Sequence, residues 1–149
     1  MSYSVKWLTR SRMLSAVFML DGLISVGFGI ASRVAPRSTF GTIVDLGDAR
    51  DESLILATLA SLSTFYVLIG LVCVLAAFVP SPHKSRLAML MAINHGWTEL
   101  KGYQEIGREW LVGNPWPDIV IHSVFICAYV FLVLATWMRK PAVPDQGQA

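Results

Sequence analysis

Four long stretches of the chain are dominated by apolar residues, and the segments between them are short, polar and rich in proline. The first runs from Met13 to Ala31 and is about 19 residues long, close to the roughly 20 that carry a helix across a bilayer. The second is Ser53–Val79, closed by Pro80 and Pro82; the third is Arg86–Arg108. The fourth, Asp118–Met138, is opened by Pro115 and Pro117 and followed by Pro141. Proline lacks an N–H and clashes with a preceding helical turn, so prolines at these borders fit helix ends. The pattern predicts an all-α chain, a four-helix membrane bundle that forms one domain over residues 1–149. The polar tail from Pro141 to Ala149 is expected to be disordered.

The third stretch departs from the pattern, because it carries Asn94, His95, Thr98, Glu99, Lys101, Gln104 and Glu105. A charge at the centre of a membrane helix costs roughly 2.5–3.5 kcal/mol on insertion scales. Charge placement argues that it spans nonetheless. With four spans Lys6, Arg10, Arg12, Lys84, Arg86, Arg139 and Lys140 share one side, which the positive-inside rule makes cytoplasmic. Both termini are then inside. Trp7 and Trp137 mark the inner interface, and Trp110 and Trp116 the outer one.

Composition agrees: 54% of residues are hydrophobic and 15% charged, against roughly 25% charged in a soluble domain. Mean hydropathy is +0.56. The first apolar run follows Lys6, Arg10 and Arg12 and exceeds the roughly 7–15 residues of a signal-peptide core, so it reads as a retained helix. A net charge of +2 without long Lys/Arg runs gives no support for nucleic acid as a partner. Cys73 and Cys127 lie within apolar runs and read as small membrane-buried residues. The longest connection, Ser32–Glu52, holds Phe40, Ile43, Val44 and Leu46 and is either a cap on the outer mouth or a plain crossover.

The polar residues inside the spans are the candidate chemistry. Asp21 and His95 each lie about nine residues from the cytoplasmic end of parallel helices, so they share a depth near mid-membrane. Glu99 follows His95 by one turn and Tyr103 comes next, with Asn94 and Thr98 on the adjacent row. His122 enters from the fourth helix near the level of Gln104 or Tyr103. Ser25 and Gly29 lie above Asp21, and the second helix offers Ser63, Tyr66, Gly70, Cys73 and Ala77 on one stripe. Desolvation favours the protonated form of a carboxylate, and an acid beside a histidine can give or take a proton. Glu99, Asp21 and His95 are therefore the expected catalytic residues. Asn94, Thr98, Tyr103, His122, Tyr66 and Ser25 are expected to orient a substrate, with Trp97 as an aromatic wall. The alternative is that the same groups only fasten the helices together.

Other chemistries find less support. His95 and Glu99 lack the second metal-binding element of a di-metal bundle. His122 is expected about 7 Å along the axis from His95, too far for shared haem ligation. No serine sits in a nucleophile elbow, and no glycine-rich phosphate loop is present. No metal or other cofactor is expected.

A charged third helix, a second helix with Tyr66 and Gly70, and the loop Gly107–Arg108–Glu109–Trp110 before Gly113–Asn114–Pro115 together resemble the small DoxX-like four-helix membrane proteins. That resemblance covers most of the chain and implies the fold. The His95-xxx-Glu99 element resembles in kind the acid sites of membrane sterol isomerases and terpene cyclases. The expectation is a membrane enzyme that isomerises, cyclises or opens an epoxide in a lipophilic isoprenoid, sterol or polyketide. A non-catalytic subunit or ligand carrier is the rival. Apolar inner halves (Leu14–Leu20, Leu87–Ile93, Val130–Ala135) argue against transport. Besides its substrate the chain contacts membrane lipids, and small residues at Ser25, Gly29, Ala57 and Ser61 allow a homo-oligomer.

Overall fold

A computed structural model describes residues 2–41, 44–45, 49–108 and 113–137. The regular elements among them are five helices: α1 (Ser2–Val34), α2 (Pro36–Phe40), α3 (Ala49–Ala76), α4 (Ser81–Glu105) and α5 (Trp116–Trp137). The tail 141–149, loop residues Ile43, Leu46 and Asp48, and Glu109 and Trp110 lie outside the described residues.

Several borders differ from the sequence reading. α1 starts at Ser2, well before the apolar run, because no proline or glycine interrupts the polar residues that precede it. α4 starts at Ser81 and takes Pro82 into its first turn, where a missing N–H is harmless. It stops at Glu105 instead of Arg108, since Ile106 is extended and Gly107 turns left-handed at φ 82°. α5 likewise takes Pro117 into its first turn and begins at Trp116.

Contacts near the helix ends fix the directions. Arg10 Nη1 donates to the carbonyl of Ala135, and Ser15 Oγ donates to that of Ala77 at 2.8 Å. Lys84 Nζ donates to Ser15 Oγ at 2.6 Å and to the Ala77 carbonyl at 3.0 Å. The starts of α1 and α4 therefore lie beside the ends of α3 and α5, so α1 and α4 run one way and α3 and α5 the other. A lysine at the carbonyl end of α3 also meets the negative end of that helix's dipole.

The helices pack as two close pairs, α1 with α3 and α4 with α5, and α1 also touches α4 and α5. The α1–α3 crossing is nearly backbone on backbone. A Cβ on Gly70 would stand 2.7 Å from the carbonyl oxygen of Gly22, and one on Gly29 2.8 Å from that of Ser63. Only glycine permits that approach. α3 and α4, by contrast, scarcely meet. The hydrophobic core fills the end where α1 begins, around Leu14, Phe18, Cys73, Ala88, Tyr129 and Val133. It closes that end beneath Asp21.

Three helical segments, Arg10–Val34, Glu52–Ala76 and Trp116–Trp137, are long and apolar enough to cross a membrane. Fewer than a third of the residues in their apolar windows are buried against the rest of the chain. So much outward apolar surface calls for an apolar surrounding. α4 reaches spanning length with 25 residues but is too polar to join them on composition.

Candidate functional site

Asp21 is the point on which four helices converge. Its side chain, on α1, is 1% exposed. Oδ2 accepts from the Tyr129 hydroxyl of α5 at 2.7 Å and pairs with His95 Nε2 of α4 at 3.0 Å. The Cys73 thiol of α3 approaches the same oxygen at 3.6 Å, and Ser25 Oγ donates to Oδ1 at 3.4 Å. All four partners can donate, an arrangement that suits an ionised carboxylate. Asp21 itself does not line the cavity that the histidines reach.

His95 leaves this cluster toward α5. Its Nδ1 lies 2.7 Å from Nδ1 of His122, and its ring stacks on Phe125 with centroids 5.2 Å apart and planes 12° from parallel. His122 Nε2 in turn stands 3.5 Å from Asp118 Oδ1, one turn back on α5. Against an ionised Asp21, His95 Nε2–H donates to the carboxylate and one proton lies between the two Nδ1 atoms. Two neutral imidazoles supply both of those protons and leave a lone pair on His122 Nε2.

Both histidines reach a cavity of about 280 Å³. It occupies the gap between α3 and α4. One wall is Leu59, Leu62, Phe65, Tyr66 and Ile69 of α3; the other is Asn94, His95 and Thr98 of α4. Ser25 and His122 contribute at the α1 and α5 sides, and Phe40 of α2 covers one edge. Phe40 is held edge-on to Phe28, which packs in the same way against Tyr66, with centroids at 5.8 Å and 5.0 Å. Part of the long connection thus caps the cavity. The cleft is apolar on one side and carries neutral hydrogen-bonding groups on the other.

The sequence-predicted residues divide accordingly. Asp21, His95 and His122 come together in one network, and Ser25, Tyr66, Asn94, Thr98, His95 and His122 line the cavity. Glu99 stands apart: its Oε1 accepts from Ser123 Oγ of α5 at 2.5 Å, and it does not reach the cavity. Trp97 is 64% exposed on the outer face of α4, with Lys101 Nζ 5.5 Å from its ring centroid. Tyr103 is 47% exposed and edge-on to Trp116 at 6.4 Å, away from the cavity.

The expected 7 Å offset between the histidines is not present. α4 and α5 are staggered, with Gly102 facing Ile119, so counting residues from each helix end misjudged their relative depth. The histidines are level. At 2.7 Å their Nδ1 atoms are closer than the roughly 3.3 Å that separates two nitrogens on a tetrahedral zinc ion. Among the described residues no group of three His, Cys, Asp or Glu side chains is placed to hold a metal ion. Tyr129 was missed, although a tyrosine within an apolar helix needs a partner for its hydroxyl. Ser123 and Asp118 carry no signal in the sequence beyond their polarity.

Comparison of the chain with protein-family models, with curated proteins and with solved structures finds no match.

Proposed function

We propose that this chain is a multi-pass membrane protein whose four long helices form a bundle with both termini cytoplasmic. Its cleft between α3 and α4 would perform acid–base chemistry on a lipophilic small molecule. α4 is the fourth span in this reading. His95 turns inward to Asp21 and His122, and Glu99 to Ser123. Its outward stripe is Leu90, Ile93, Trp97 and Leu100, each about half to two-thirds exposed. That stripe at helical spacing supports insertion despite the helix's average polarity. The basic residues Arg10, Lys84 and Arg86 gather at one end of the helices, which favours that end as the cytoplasmic one.

The observation that carries the chemical reading is the histidine pair on the cavity wall, backed by a buried carboxylate. A histidine pair next to an apolar cleft can, once it takes up an extra proton, donate that proton to one carbon or oxygen of a substrate and recover one from another position. Asp21 balances the charge and orients His95, in the manner of a carboxylate behind a catalytic imidazole. It is a positioning residue, not the donor. The apolar α3 wall and the open gap to α4 suit entry of the substrate sideways from the bilayer, and the neutral polar wall suits a hydroxyl, carbonyl or epoxide oxygen. Isomerisation, cyclisation and epoxide opening all remain within that chemistry.

Lipid extracts of cells producing the protein, or its His95→Gln or His122→Gln variants, test the reading by mass spectrometry. A catalyst yields a lipophile present only with the unaltered protein. Isomerisation or cyclisation leaves its mass unchanged, and epoxide hydration adds one water. Identical extracts from folded protein and variants would reject catalysis and leave the network as helix packing.

A further inference from the structure

The histidine pair is the middle of a longer line. Tyr129 Oη meets Asp21 at 2.7 Å, Asp21 meets His95 at 3.0 Å, and His95 meets His122 at 2.7 Å. His122 Nε2 then lies 3.5 Å from Asp118. Side-chain exposure climbs along the same line, from 1% at Asp21 and 6% at His95 to 14% at His122 and 66% at Asp118. Each member can give or accept a proton. Toward the start of α1 the line ends at Asp21 and the Tyr129 hydroxyl, packed among Leu14, Phe18 and Val133, none of these more than 1% exposed. Asp118 touches neither the cavity nor Asp21, so the acid–base reading alone gives it no task.

We propose that Asp118 is the proton port of the site, joining the histidine pair to bulk water along a path that ends blind at Asp21. The inference rests on the reading of His95 and His122 as the acid–base centre. When His122 has spent a proton on a substrate from Nε2, Asp118 takes one from hydronium in bulk water and returns it to that vacant nitrogen, while the proton between the two Nδ1 atoms stays in place. Discharge runs in reverse. One proton enters for each one spent, and no electrons move. The groups facing His122 are Asp118 from its own helix, His95 from α4 with Asp21 of α1 behind it, and Tyr66 of α3 across the cavity. Asp118 is the one among them with most of its side chain in the open. A path with one mouth serves a catalyst that must be recharged; a transporter needs an exit at the other end.

The test uses full-length protein with ¹⁵N-labelled histidine in lipid nanodiscs. Magnetic resonance measures how fast the imidazole N–H protons of His95 and His122 exchange with water. Asp118→Asn should slow that exchange by at least about tenfold. Its effect should stay below the roughly 10²–10⁴-fold worth of a positioned proton-transfer group, because stray water partly replaces the carboxylate. Asp118→Glu, or formate added to Asp118→Asn, should restore it. Unchanged exchange in Asp118→Asn would overturn the proposal. Slowed exchange that neither rescue restores would assign Asp118 a structural role and overturn it equally. The readout does not depend on turnover. If exchange behaves as stated while His122→Gln leaves lipid extracts unaltered, the port stands and the catalytic reading fails; the opposite pair of results separates them the other way.

Discussion

Replacing Asp21 by alanine removes the one acceptor on which groups from α3, α4 and α5 converge. The Tyr129 hydroxyl and His95 Nε2–H, bonded to it at 2.7 and 3.0 Å, would be left facing a void. Tyr129 is 0% exposed, so water cannot take the place of the lost partner without opening the core. An unpaired buried donor costs about 1–3 kcal/mol, and two give about 2–6 kcal/mol. The weaker contacts from Ser25 and Cys73, at 3.4 and 3.6 Å, add little. Asp21→Asn keeps the shape and one carbonyl oxygen, and should cost about 1–2 kcal/mol through loss of the charged acceptor. Unfolding in mixed micelles, followed by tryptophan fluorescence, measures both. A cycle with Tyr129→Phe isolates the contact: the phenylalanine should destabilise the unaltered protein and be neutral or favourable beside Asp21→Ala. If Asp21→Ala costs no more than the roughly 0.6 kcal/mol of an average interhelical hydrogen bond, or the cycle is additive, Asp21 is not the convergence point described.

The α1–α3 crossing makes a second prediction: Gly70→Ala, whose Cβ would sit 2.7 Å from the Gly22 carbonyl, should destabilise by about 1–3 kcal/mol. Gly27→Ala, with nothing within 4 Å, should stay within about 0.5 kcal/mol of the parent in the same unfolding assay. In a cysteine-free background, Asp45→Cys should react with an impermeant maleimide from outside the cell and His83→Cys only after permeabilisation. Asp145→Cys, which follows α5 in the sequence, should also react only after permeabilisation; its labelling from outside would remove α4 as a span, and the reverse pattern at 45 and 83 would invert the orientation. Trp97→Ala should leave turnover within about twofold, because the ring faces away from the cavity, where surface changes have small effects; a large loss of turnover would restore Trp97 as a substrate wall.

Much of the helical layout was legible, because runs of apolar residues near spanning length admit few other structures. Asp21 and His95 were legible as a pair, since parallel helices with equal counts from one end place side chains at equal depth. His122 was misplaced by the same arithmetic applied to antiparallel helices. Their ends need not align, and only the stagger at Gly102 and Ile119 sets the register. Glu99 drew attention as a membrane carboxylate, yet helical phase directs it to Ser123 on α5 and leaves His95 and Asn94 to face the cleft. The role of Tyr129 depends on a three-helix convergence that no single helix encodes. The gap between α3 and α4 was not legible at all, because it arises from which pairs of helices pack closely.

The central claim is that a lipophile binds between α3 and α4 with its polar atom at the histidine pair. An experimental structure of the protein extracted together with its surrounding lipid, without delipidating detergent, tests this most directly. The account predicts elongated density in the cleft bounded by Leu59, Phe65 and Ile69, ending within about 3.5 Å of a ring nitrogen of His95 or His122. A cleft closed by direct packing of α3 on α4, with lipid confined to the outer face around Trp97, would contradict it.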